Sequence, residues 1–128
     1  MIRSALALAL VMALSPIAAS ALAQTRPMTV REFLATANQL PQNATAVLRP
    51  EGRRLVDEVS RAVHAVRNEQ TAAVAAGRRP AYCIPARGTG ITPEGLLARF
   101  KALPARRQDI SVTQAIREWM VERHPCPA

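Results

Sequence analysis

Aromatic residues are nearly absent: Phe33, Tyr82, Phe100 and Trp119 are the whole set. Stacking on nucleic-acid bases needs a platform of such rings, and four scattered ones do not make one. Histidine and cysteine are equally sparse, with His64, His124, Cys83 and Cys126. A metal centre needs three or four ligands at close spacing, and no such set exists here. The single glycine-rich stretch, Gly88-Thr89-Gly90, lacks the lysine and the spacing of a phosphate-binding loop. Nothing alternates between apolar and polar for long enough to mark a strand, and no internal repeat is present. Asp57 and Glu58 are adjacent carboxylates, but helical neighbours point apart and cannot flank one bond as an acid–base pair. These absences lead to an expectation of no catalysis, no cofactor and no nucleic-acid partner.

The start of the chain does carry a signal. One charge, Arg3, precedes an apolar run from Ala5 to Leu14; Ser15-Pro16 breaks it, and Ala21-Leu22-Ala23 follows. This is the layout of a secretory signal peptide. The apolar run falls well short of the about 20 residues that a membrane-spanning helix requires. Residues 1–23 are therefore expected to be cut away after Ala23, and residues 24–128 to form one exported, periplasmic domain. Removing Arg3 leaves a formal charge one unit below the +8 of the whole chain. Outside the cytoplasm such a charge suits phospholipid heads, wall polymers or an acidic protein, or simply serves solubility. Lys101 is the only lysine, so a general preference for arginine accounts for part of it.

An even cysteine count in an exported chain reads as a disulfide, and two cysteines allow one pairing, Cys83–Cys126. The mutually exclusive reading, Cys83 as a nucleophile with His64 or His124 as base, requires the thiol to be free.

Helical periodicity supplies the rest. Thr29-Val30-Arg31-Glu32 has capping-box form, with Val30, Phe33, Leu34 and Ala37 as one apolar face. Residues 41–50 read as a connection; its Asn43-Ala44-Thr45 matches a glycosylation sequon, a pattern common by chance. A long helix is expected from Glu51 to Ala76, its continuity open. Leu55, Val59, Ala62, Val66 and Ala73 would face inward, and Arg53, Arg54, Asp57, Glu58 and Arg61 would face water. His64 is expected at the boundary. Gly77 and Pro80 end this helix. A flexible basic loop over residues 86–90 follows.

Thr92-Pro93-Glu94 then begins a third helix, with Leu96, Leu97, Phe100 and Leu103 inward. Ser111-Val112-Thr113-Gln114 suggests a second capping box, and Val112, Ala115, Ile116, Trp119 and Met120 an inward face. The expected architecture is all-α: four helices and one disulfide.

Cys83-Ile84-Pro85, a short loop, a helix ending in Leu103-Pro104, a second helix and His124-Pro125-Cys126 resemble the Rap1a/Tai family of type VI secretion immunity proteins. The likeness spans about residues 82–126; upstream it is one of helical layout. It implies a small, exported, helical and disulfide-bonded protein that binds and blocks a peptidoglycan amidase effector. It also implies that a projecting segment enters the amidase cleft, for which Arg87, Gly88, Thr89 and Gly90 are the candidates. The alternative is a periplasmic accessory or chaperone-like protein that binds clients or wall through charge. Self-association into a homodimer stays open beside both.

Overall fold

The computed structural model describes residues 26–128. The signal peptide expected at residues 1–23 lies outside the described residues. Within them the chain is all-α, with four helices: α1 (Val30–Ala37), α2 (Pro50–Ala75), α3 (Pro93–Ala102) and α4 (Val112–Arg123). Two short 3-10 turns, Ala44–Leu48 and Ala105–Arg107, lie between them. The disulfide joins Cys83, before α3, to Cys126, after α4. No helix among the described residues is long and apolar enough to cross a membrane.

Helix α1 shows how local sequence and long-range contact share one task. The first backbone N–H groups of any helix lack partners within it. Here Thr29 Oγ1 accepts from the Glu32 amide (3.2 Å), and Glu32 Oε2 accepts from the Thr29 amide (2.9 Å), completing the expected capping box. The Val30 and Arg31 amides donate instead to the carbonyls of Ile110 (3.0 Å) and Gln108 (2.8 Å). Thr29 and Ser111, the N-caps of α1 and α4, form an isolated antiparallel bridge, sealed by the Val112 amide on the Met28 carbonyl at 2.9 Å. The two helices thus start side by side. The second capping box is only half made: Ser111 Oγ accepts from the Gln114 amide (3.0 Å), while the Gln114 side chain turns to Glu118 (3.2 Å).

Helix α2 is continuous over 26 residues and packs against α1, α4 and the first 3-10 turn. Proline at its first position is tolerated because no helical hydrogen bond is lost there. Its C-terminus closes with the Arg78 amide on the Ala73 carbonyl (2.8 Å) and the Gly77 amide on Val74 (3.0 Å), a Schellman motif. The inward stripe is Gly52, Leu55, Glu58, Ala62, Val66 and Ala73. Val59 is only partly buried, and His64 is exposed rather than at the boundary.

Glu58 corrects the expected solvated face. It follows Leu55 by three residues and precedes Ala62 by four, which places it on the buried stripe. Its carboxylate is 9% exposed as a residue and pairs with Arg61, whose guanidinium reaches out to water. The pair meets the rule that buried charges are partnered.

The connection at residues 41–50 also holds more structure than its composition implies. Asn43 Oδ1 accepts from the Thr45 amide (2.9 Å) and caps the 3-10 turn, so the sequon residues have a plain structural role. This turn rests on Gly52: a Cβ there would lie 1.9 Å from the Ala46 carbonyl oxygen. Alanine at position 52 should improve helix propensity by about 1 kcal/mol. The backbone collision overrides that gain. Gly52→Ala is expected to destabilise by about 1–3 kcal/mol, the usual cost of overpacking. A urea midpoint equal to or above the parent's would show that the turn yields freely.

The core joins all four helices. Phe100, Ile116, Met120, Val30, Val66 and Val112 are fully buried. Phe33 of α1 meets Phe100 of α3 edge to face, with ring centroids 5.2 Å apart. All four apolar residues of the expected α1 face are buried. On α3, Leu96 and Phe100 are buried; Leu97 and the C-cap residue Leu103 pack against the core from its edge. Trp119, expected in the core, is partly buried at its margin.

Candidate protein-binding site

The segment between α2 and α3 is fastened step by step. Arg79 Nη2 donates to the Cys126 (3.2 Å) and Pro127 (2.8 Å) carbonyls. The Cys83 amide donates to the His124 carbonyl at 2.8 Å, beside the disulfide, whose Cα atoms are 4.9 Å apart. Gln70 of α2 holds Ile84 in both directions: Oε1 accepts from its amide (2.8 Å) and Nε2 donates to its carbonyl (3.4 Å).

The loop proper begins with a turn, the Gly88 amide donating to the Pro85 carbonyl (3.1 Å). Its far side is tied to the end of α4. Arg123 Nε donates to the Thr89 carbonyl (3.1 Å), and Arg123 Nη2 donates to that of Gly90 (3.2 Å). His124 Nε2 lies 2.7 Å from the same Thr89 oxygen; a carbonyl can only accept, so Nε2 carries the proton. The loop read as flexible from composition is hydrogen-bonded at Gly88, Thr89 and Gly90. Glycine at position 90 serves this geometry twice: φ is +74°, and a Cβ would sit 2.6 Å from Arg123 Nη2.

Of the four residues named from sequence, Arg87 is exposed, Gly88 and Thr89 are partly buried, and Gly90 is exposed. Pro85, Arg87, Gly88, Gly90, Arg123 and His124 surround an open hollow of about 310 Å³. Arg123 and His124 were missed as part of this site. The signal was present: a bond from Cys83 to Cys126 necessarily brings residues near 124 beside those near 85. Trp119 stands next to it, with the guanidinium carbons of Arg99 and Arg123 at 5.5 Å and 6.0 Å from its ring centroid. Arg99 is also held by Glu122 at 2.6 Å.

Just before the disulfide in sequence, Tyr82 braces α2. It is 3% exposed, and its hydroxyl lies 2.8 Å from Glu69 Oε2 and 2.9 Å from the Val66 carbonyl oxygen, two acceptors for one proton. Arg117 Nε donates to Glu69 at 2.8 Å and holds that carboxyl below its ordinary range. Burial, with the Glu69 hydrogen bond next, pushes the phenol up from 10.0 to about 12. A raised folded-state pKa means that Tyr82 contributes its full stability below pH 10.0, and loses it as pH rises toward about 12. The chain has one tyrosine, so its phenolate absorbance reports this group alone. Folded protein is expected to titrate near 12 and unfolded protein near 10.0. Coincident curves would refute the buried hydroxyl.

Among the described residues no group of three or more histidine, cysteine or carboxylate side chains is placed to hold a metal ion. Chemically, the arrangement offers a pre-shaped, cationic, disulfide-anchored loop. Comparison with protein-family models, with curated proteins and with solved structures finds no match to this chain.

Proposed function

We propose that this chain is a periplasmic immunity-type protein that binds and inhibits a peptidoglycan amidase effector of type VI secretion. The loop from Arg87 to Gly90 is its contact surface. The resemblance in the last third of the sequence gives the class of partner. The supporting observation is the fastening of the loop by Arg123 and His124. An inhibitor that presents a ready-made loop avoids the ordering cost that a mobile one meets on binding, about 0.5–1.5 kcal/mol per immobilised side chain.

The test is a pull-down from periplasmic extract and from the medium of competing strains. Oxidised protein serves as bait at moderate salt. A cell-wall amidase recovered one to one, and lost when residues 87–90 are replaced, supports the inhibitor. Recovery of many unrelated proteins, or of wall fragments that salt removes, would leave the accessory protein as the better reading.

A further inference from the structure

We propose that the hollow between Arg87, Arg123 and His124 is a carboxylate site that receives an aspartate, glutamate or C-terminal carboxylate of the protein partner. The source of that carboxylate rests on the inhibitor reading; the site itself does not.

Charge is the first reason. Six arginines of the described residues are ion-paired: Arg26, Arg31, Arg61, Arg99, Arg107 and Arg117. Arg87 and Arg123 are not among them, and no acidic residue lines the hollow they share. Two arginines therefore line one small space that no counter-charge lines.

The second reason is pre-organisation. Arg123 spends Nε and Nη2 on the Thr89 and Gly90 carbonyls, which are neutral and leave its full charge in place. The same bonds, with the Trp119 ring at 6.0 Å, fix where the group points. Nη1 lies outside those hydrogen bonds. Arg87, the other arginine of the lining, has a second donor set to offer, so one carboxylate can be held by two charged partners.

The position on α4 selects the kind of anion. Arg123 is the last residue of that helix and His124 its C-cap. The C-terminal end of a helix carries partial negative charge, which opposes anions. Phosphate sites typically use the opposite end, where backbone N–H groups converge. A singly charged, planar group is the better fit here. Tryptophan and arginine beside the hollow are also the residue types that dominate the energetics of protein interfaces.

The experiment titrates oxidised, 15N-labelled protein with N-acetylglutamate α-methylamide, which carries one carboxylate, N-acetylglutamine α-methylamide, which carries none, and inorganic phosphate, all at constant ionic strength. The glutamate methylamide should give saturable shifts at the Arg123 side chain and the Gly88, Thr89 and Gly90 amides. Arg87→Gln should weaken it about tenfold, the equivalent of one charge-assisted hydrogen bond. Arg53→Gln, on the exposed side of α2, should leave it unchanged. Because Arg87 makes none of the loop's fastening bonds described above, its removal tests the charge without loosening the loop. Equal shifts from the carboxylate-free glutamine methylamide, tighter binding of phosphate, or shifts spread evenly over the exposed arginines would each overturn the proposal. A saturable glutamate site in a protein that recovers no amidase would retain the hollow and remove the inhibitor. An amidase complex indifferent to Arg87→Gln would do the reverse.

Discussion

Replacing Cys83 and Cys126 by serine is expected to cost roughly 4 kcal/mol, because the bond closes 43 positions of chain in the unfolded state. A domain of this size has about 5–15 kcal/mol in total. The melting temperature should therefore fall by about 15–30 °C, at about 4–8 °C per kcal/mol. The loss is not spread evenly. The Cys83–His124 backbone bond and the ties from Arg123 and His124 to Thr89 all lie beside the disulfide. The loop should loosen first and the helices later. Calorimetry of oxidised and reduced protein, with amide exchange at Gly88 to Ile91, reads both effects. A drop of only a few degrees would mean that the fold holds residues 83 and 126 together without covalent help.

Phe100→Ala should be the most damaging single truncation, at about 3–5 kcal/mol. Phe100 is fully buried, so the change removes apolar contact and leaves a cavity. It also removes the edge-to-face partner of Phe33, an interaction of about 0.5–1.5 kcal/mol beyond burial. Leu97→Ala, one turn earlier at the edge of the core, should cost clearly less, since water and neighbours can fill the space. The check is the urea midpoint at unchanged m-value. Equal losses for the two variants would show that the core collapses around the missing ring.

Helix existence and the disulfide were legible because each rests on short-range signals. Thr29 and Glu32 are three residues apart and cap one another. Cys83 and Cys126 had no other partner to choose. What escaped sequence reading depends on where helices meet. Glu58 looked solvent-facing because a carboxylate usually is; packing on both flanks of Leu55 and Ala62 decided otherwise. Trp119 looked like core because it sits on an apolar face. At that height only part of the ring is covered, and arginines complete its surroundings. The 3-10 turn was hidden because its partner is an absent side chain, at Gly52. For the site, glycine composition suggested mobility. The bonds that hold the loop come from Arg123 and His124, more than thirty residues later.

The bridge between Thr29 and Ser111 sets an order of assembly. Helix α1 donates two of its first amide hydrogen bonds to the carbonyls of Ile110 and Gln108, and Arg31 reaches Asp109 across a sequence separation of 78. A chain that emerges N-terminus first therefore releases α1 before the residues that complete it. Its buried face of Val30, Phe33, Leu34 and Ala37 waits through that interval. The long α2 helix can form locally in that time, but the native core cannot close until the last quarter of the chain has appeared. Assembly is late by construction, with the earliest helix among the last to find its place.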